Sequence, residues 1–213
     1  RAHGQVFYSP VVEAVARIPT QDLRMSAEAA KVRLNALGFH DEDAGLRHIE
    51  ALTSGTSRAV RIQTALMPAM LAWLADGPSP DHGLLAFRQV SEALGESPWY
   101  LRALRDEGAM AQRLAVVLST SRYAVDVLTR APETVQVLVD DDLTPLGRED
   151  LARQMNAVAR RHHDVEEAVR AIRAVRRREL FRILVADILN VTGIRRIGQA
   201  LTDLTGATID AAL

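Results

Sequence analysis

The sequence contains no cysteine in 213 residues, which excludes disulfide bonds and thiolate metal sites. A chain without thiols needs no oxidising compartment, so we expect a cytoplasmic location. Aromatic residues are also scarce, at 4% of the chain, and each aromatic cluster is therefore worth locating.

Net charge and long apolar runs are missing as well. The chain carries 26 basic and 27 acidic residues, so no overall field would attract nucleic acid or a membrane surface, and we expect neither as a partner. Arg, Pro or Asp interrupt every apolar stretch well before the ~20 residues that a bilayer-spanning helix needs. The sequence begins at Arg1 without an initiator methionine or a leader pattern. We therefore expect a piece of a longer protein.

What is present is helical periodicity along nearly the whole chain, without a run that alternates as a strand would. The predicted class is all-α, a multi-helix array of antiparallel hairpins that ends in long helices. Turn-forming residues concentrate in 76–83 and 140–150, which are predicted loops. These loops divide the chain into segments 1–76, 84–139 and 148–213.

The predicted helices follow from this periodicity and from the positions of Pro, Gly and capping residues. A short helix is expected after Ser9-Pro10, and Pro68 is expected to kink a later one. The remaining predicted helices cover about 26–37, 43–52, 57–75, 84–94, 98–106, 109–118, 121–129, 132–139, 148–162, 164–190 and 194–213.

The segment SPWYLRALRDEG (residues 97–108) places an indole beside a phenol. Its serine and proline suit the start of a helix, and its glycine suits the end. Trp99, Tyr100 and Leu104 then fall along one broad apolar face. This spacing favours structural packing anchors over an aromatic ligand box, and Tyr123 is predicted to be a further anchor.

An arginine-rich stretch follows later, with Arg176, Arg177 and Arg178 in a row and Arg182 one turn beyond. Guanidinium groups bind phosphate and carboxylate bidentately, so these four residues are candidates for an interdomain or regulatory contact. The alternative, which helical spacing favours, is a solvated face whose arginines pair with acids such as Glu179. No aromatic residue interleaves with the run, which argues against a single-stranded nucleic-acid surface.

Residue types that bind metal ions occur in three places, but in each case a capping or turn role is favoured. RRHHDVEE (residues 160–167) has adjacent histidines that diverge on a helix, with Asp164 as a helix N-cap. FHDEDAGLRHIE (residues 39–50) has acids, such as Asp41, that suit a helix start. The run of Asp at 140–142 lacks the ligand spacing of a calcium loop and is predicted to be a solvated turn.

Several separated strings, in order along the chain, carry a resemblance to a known family. They are FYSPVVEAVARIP, LNALGF, HIEALTSGTSRAVRIQTALMPAMLAWLADGPSPDHGLLAFRQVSEALGESPWYLRALRDEG, SRYAVDVLTRAPE and RRRELFRILVADIL. They resemble the bacterial bifunctional glutamine synthetase adenylyltransferase/adenylyl-removing enzyme, in its actinobacterial form. The resemblance covers nearly the whole chain.

The resemblance implies a parent enzyme with two nucleotidyltransferase-like domains. One removes AMP from a tyrosine of glutamine synthetase by phosphorolysis, and the other attaches AMP from ATP. It also implies ATP and magnesium as cofactors of the parent, and glutamine synthetase and the PII signal protein as partners, with PII and glutamine setting the balance of activities.

This chain resembles the central region between the two catalytic cores. By the resemblance, residues 1–76 are the helical end of the deadenylylating half with connector, 84–139 a short-helix connector, and 148–213 the long helices that lead into the adenylylating domain.

The resemblance does not place an active site in this chain. The family's chemistry requires a Gly-Ser turn followed by a strand with two carboxylates that hold two metal ions. The nearest pair, Asp164 and Glu166, lies in helical sequence with no Gly-Ser before it. No catalytic, cofactor-binding or metal-binding residue is therefore carried over. We expect an inactive helical linker with a regulatory role. The alternatives are a free-standing HEAT-like interaction module and a module that is catalytic by itself.

Overall fold

The computed structural model describes residues 27–95 and 97–212, and every regular element among them is a helix, which confirms the all-α class. The helix predicted after Ser9-Pro10 lies outside the described residues. The chain divides into two units, residues 1–133 and 134–213, whereas the division into three segments stays a prediction. No helix in the described part is both long and apolar enough to span a bilayer.

The described part of unit 1 consists of short and medium helices joined by brief turns. Their bounds agree with the predicted ones to within a few residues. In chain order these helices are α1 (Ala27–Ala36), α2 (Glu42–Thr53), α3 (Arg58–Ala75), α4 (Pro80–Leu94), α5 (Pro98–Asp106), α6 (Gly108–Thr120) and α7 (Arg122–Arg130).

Side-chain caps explain where several of these helices begin. The Asp41 carboxylate accepts a hydrogen bond of 2.8 Å from the N–H of Ala44, and Ser121 Oγ accepts one of 3.2 Å from the N–H of Ala124. α5 begins with Pro98, whose missing N–H costs nothing in the first turn. The capping residues of the sequence therefore position the helix starts.

One predicted loop is partly wrong. Residues 76–83 were expected to be a loop, but α4 already starts at Pro80, a residue suited to the first turn. Gly83 lies buried inside α4, where a Cβ atom would come within 3.1 Å of the Ser119 backbone in α6. The glycine that suggested a loop instead allows two helices to approach closely.

Helix α6 forms the centre of unit 1 and lies against α3, α4, α5 and α7. Its apolar side chains pack against those of its neighbours in a core that solvent does not reach. The burial of these side chains is the principal source of stability for such a unit. Large side chains that are fully buried there include Met67, Met70, Leu74, Leu84, Phe87, Met110, Leu114 and Leu118.

Unit 2 is built on three mutually packed helices, α8 (Arg148–Ala159), α9 (Val165–Ile188) and α10 (Ile194–Ala212). The helix predicted for 132–139 is present as a 3₁₀ helix, Pro132–Val139, and the boundary between the units falls within it. A loop, residues 140–147, joins it to α8. The shared core contains Leu151, Met155, Ile172, Ile183, Ala186, Ile197, Ala200, Leu204 and Ala207.

Candidate functional site

The arginine-rich stretch lies in the middle of α9. The helix begins at Asp164, whose carboxylate accepts a hydrogen bond of 3.0 Å from the N–H of Glu167. Acidic residues in its first turn complement the positive end of the helix dipole, and no Gly or Pro interrupts its 24 residues. α9 therefore presents its arginines at fixed helical spacing. Two of the four candidates, Arg178 and Arg182, face the loop at 140–147.

Arg182 is buried and ties α9 to this loop. Its Nη1 donates a hydrogen bond of 2.9 Å to the carbonyl oxygen of Asp142, and its Nη2 donates one of 2.5 Å to the carboxylate of Asp140. Its Nε lies 3.3 Å from Oε2 of Glu179, an ion-pair contact without hydrogen-bond geometry. One guanidinium thus joins two loop residues to an acid on its own helix.

Glu179 supplies a further tie to the loop. Its Oε1 accepts a hydrogen bond of 2.7 Å from the N–H of Leu146. Burial raises the pKa of the Glu179 carboxyl above its ordinary value, because the charged form is desolvated. The Leu146 N–H and the Arg182 guanidinium act in the opposite direction and offset that effect in part.

The other three arginines are exposed and differ in their partners. Arg178 lies 3.9 Å from the Asp140 carboxylate, at the solvent edge of the cluster. Arg176 and Arg177 form no hydrogen bond or ion pair within the described part of the chain. The four candidates therefore do not form one patch. Arg178 and Arg182 bind the loop, whereas Arg176 and Arg177 are available to a partner.

A depression of about 390 Å³ lies beside this cluster, between the loop, α8 and α9. Its lining includes Asp141, Gln154, Val175 and Arg178. The cluster itself, defined as Asp140, Asp142, Leu146, Glu179 and Arg182, consists of groups that bind one another. Such an arrangement fixes the path of the loop, and most of its polar groups are occupied in doing so.

The acidic run at 140–142 is partly the solvated turn that its sequence predicts. Asp141 and Asp142 are exposed, and Asp142 accepts a hydrogen bond of 2.8 Å from the N–H of Thr144. The pairing of Asp140 with the buried Arg182 was not predicted. A signal was present in the sequence, since Arg182 is the only basic residue in the largely apolar stretch LFRILVADIL. An isolated arginine among buried apolar residues requires a buried partner.

The aromatic anchors lie in unit 1. Tyr100 and Leu104 are buried, and the Tyr100 hydroxyl lies 3.1 Å from the hydroxyl of Ser91 in α4. Burial raises the pKa of the Tyr100 phenol. Trp99 is only partly buried and meets the Tyr100 ring edge to face, with ring centroids 5.9 Å apart. Of the two neighbouring aromatics, Tyr100 is therefore the one in the core.

Tyr123 requires a correction. Its side chain is 51% exposed, so it is not a core anchor. The buried face of α7 is formed by Ala124, Val125 and Leu128, and Tyr123 lies outside that face. Its aromatic character had suggested packing, but its position on the helix places it in solvent.

The histidine-containing segments have local roles. The Asp81 carboxylate accepts backbone hydrogen bonds from His40 and Asp41, at 3.0 and 3.2 Å. Nδ1 of His48 lies 3.2 Å from Nη1 of Arg88. Within residues 27–95 and 97–212, no group of three or more His, Asp or Glu side chains is arranged to hold a metal ion.

Comparisons with known proteins agree on one family. Residues 111–213 match the family model for glutamate-ammonia ligase adenylyltransferase. The chain is 98% identical over its whole length to part of the bifunctional glutamine synthetase adenylyltransferase/adenylyl-removing enzyme of Cutibacterium acnes. It is 48% identical to the corresponding enzyme of Streptomyces coelicolor and 45% identical to that of Nocardia farcinica.

The alignments with these three enzymes include every residue of the chain but only 22–23% of each relative. The chain therefore corresponds to less than a quarter of the enzymes that it matches. Separated strings between residues 7 and 189 had suggested the same family, and that resemblance is confirmed. Over its whole length, the chain is related to the bifunctional glutamine synthetase adenylyltransferase/adenylyl-removing enzymes of actinobacteria.

Proposed function

We propose that residues 1–213 form a central helical connector of a bifunctional enzyme that adenylylates and deadenylylates glutamine synthetase. The observation that carries the proposal is the whole-length identity of a helical chain to less than a quarter of such an enzyme. On this proposal the connector spaces two nucleotidyltransferase domains that lie outside it. Catalysis, with ATP and magnesium, belongs to those domains.

The nearest carboxylate pair in the sequence supports a non-catalytic role for this segment. Asp164 accepts the N–H of Glu167 at the start of α9, and Glu166 forms an ion pair of 3.0 Å with Arg170. Both acids are thus used in starting and flanking a helix. Paired catalytic carboxylates instead need to converge on metal ions from a rigid strand.

The regulatory part of the proposal concerns PII and glutamine, which would set the balance between the two activities in the cytoplasm. Arg176 and Arg177 are exposed and, unlike Arg178, have no hydrogen-bond or ion-pair partner in the described part of the chain. Guanidinium groups at fixed spacing on a long helix can bind a carboxylate or phosphate of another domain. We place the interdomain contact at these two residues.

The test uses the full-length enzyme with Arg176→Gln or Arg177→Gln. We expect either variant to change the response of at least one activity to PII or glutamine by about fivefold or more, with unchanged basal rates. Both activities are measured with and without each effector. Arg61→Gln is the control, because Arg61 is exposed on α3 and its side chain forms no hydrogen bond or ion pair within the described residues.

A normal effector response in both variants would contradict the contact and leave the arginines as a solvated helix face. An altered response in the Arg61→Gln control as well would show a general effect of surface charge rather than a specific contact.

A further inference from the structure

Helix α10 carries a row of large apolar side chains that nothing in the described chain covers. Ile194 is 77% exposed, Leu201 is 42% exposed and Ile209 is 55% exposed. Single exposed apolar residues are ordinary on protein surfaces, but these three follow one another along one side of a helix and form an elongated apolar patch. We call Ile194, Leu201 and Ile209 the α10 stripe.

Smaller residues lie between the members of the α10 stripe on the same face. Gly198, Thr205 and Ala212 are exposed and follow one another at seven-residue intervals. A Cβ atom at Gly198 would meet nothing within 4 Å. The face therefore alternates large and small positions at nearly heptad spacing, the pattern by which one helix receives another at a shallow angle.

The neighbouring face of α10 is already used. It packs against α8 and α9 through Ile197, Ala200, Leu204 and Ala207, which belong to the core of unit 2. The α10 stripe lies beside this face, and its side chains remain at least 42% exposed after unit 2 has packed. A helix whose apolar surface extends beyond its buried face is typical of an element that packs against a further neighbour.

We infer that the α10 stripe is covered by a helix of the same polypeptide, outside residues 1–213. This inference rests on the proposed function, in which further domains belong to the same enzyme. One 19-residue helix with three large apolar side chains offers far less than the roughly 800 Å² per partner of a stable interface. A second copy would bind weakly at such a patch, whereas a tethered helix needs less area because its effective concentration is high.

The experiment compares Leu201→Cys in the full-length enzyme and in residues 1–213. The chain has no cysteine of its own, and labelling by N-ethylmaleimide is read at that residue by peptide mass spectrometry. We expect labelling to be at least about tenfold slower in the full-length enzyme than in residues 1–213. Arg196→Cys, exposed on the same helix but off the stripe, is the control and should label equally in both.

Ile209→Cys repeats the measurement in case the first variant fails to fold, which circular dichroism detects. Equal labelling of the stripe variants in both proteins overturns the inference, as does equal protection of the Arg196→Cys control. Protection that disappears on dilution also overturns it, in favour of a second copy. In each of these cases the effector tests at Arg176 and Arg177 still decide the proposed function independently.

Discussion

The two units keep their helices in place by different physical means. In unit 1, α6 lies among four neighbouring helices, and its buried side chains are almost entirely apolar. In unit 2, the core of three helices is apolar too, but its leading loop is fastened by the buried charges of Glu179 and Arg182. The stability of unit 1 therefore depends on how well its apolar side chains fill the core. The loop of unit 2 depends on the pairing of Glu179 and Arg182 with each other and with loop residues.

The difference matters because the two kinds of contact fail differently. An apolar core loses stability in proportion to the volume removed, and neighbours relax into the gap in part. A buried ion pair adds little net stability when complete, but removing one partner leaves an uncompensated charge. The loop at 140–147, which joins the 3₁₀ helix to α8, is consequently expected to loosen when one of these partners is removed.

The largest expected effect is in unit 1. Tyr100→Ala should lower the free energy of unfolding by about 3–5 kcal/mol, because a fully buried aromatic ring leaves a cavity. Chemical denaturation followed by far-UV circular dichroism measures this loss. Tyr123→Ala is the control and should cost under about 0.5 kcal/mol, since its ring is exposed. Equal losses in the two variants would contradict the assignment of the core.

A loss of about 3 kcal/mol is expected in unit 2 for Arg182→Met, because Glu179 and Asp140 lose their buried cation. Adding Glu179→Gln to this variant should restore part of the loss, since the amide oxygen can still accept the Leu146 N–H without a charge. Hydrogen exchange of the loop amides reports the change locally. A double variant less stable than the single one would show that charge does not hold the loop.

A smaller effect is expected where α4 and α6 approach closely. Gly83→Ala should cost about 1–3 kcal/mol, because its Cβ would come within 2.7 Å of the buried Leu74 side chain and 3.1 Å of the Ser119 backbone. Gly198→Ala in α10 is the matched control. A methyl group there meets open space, so alanine should stabilise that helix slightly. Thermal unfolding measures the Tm of both variants. A lower Tm for Gly198→Ala than for Gly83→Ala would contradict the close approach of α4 and α6.

The smallest effect concerns pH, and its sign differs between the units. Burial lowers the pKa of His48, and the positive charge of Arg88 lowers it further. Burial and the positive charge of Arg122 likewise lower the pKa of His82. The unfolded chain binds these protons first, so unit 1 loses stability as pH falls below about 6.5.

The raised pKa of Glu179 acts oppositely in unit 2, because the folded state binds that proton more readily than the unfolded chain. We expect the hydrogen-exchange protection factors, which correct for the lower intrinsic exchange rate at low pH, to fall between pH 7 and 5 in α2 and α4 and not in α9. A fall in the protection factors of α9 alone would reverse the comparison.

Local signals predicted most of the helices. The bounds of α5, from Pro98 to Asp106, and the N-cap at Asp164 follow from residues within one turn of each helix end. The sequence failed where distant residues decide. Gly83 was assigned to a loop because nothing near it in the sequence indicates that it packs closely against Ser119 of another helix.

The same limit applies to the candidate site. Arg178 and Arg182 were selected from their own helix, but their partner Asp140 lies about 40 residues earlier, where no local pattern connects them. Which arginines bind internally and which remain free is a tertiary property. Helical spacing alone could therefore propose all four and could not separate Arg176 and Arg177 from the others.

The most direct test of the connector replaces residues 27–212 by a flexible Gly/Ser linker in the full-length enzyme. Adenylylation and deadenylylation of glutamine synthetase are then measured with and without PII and glutamine, and circular dichroism checks that the remaining domains are folded. We predict that both basal activities persist and that their response to the effectors is lost. Loss of either basal activity in folded domains, or a normal effector response, would contradict the account.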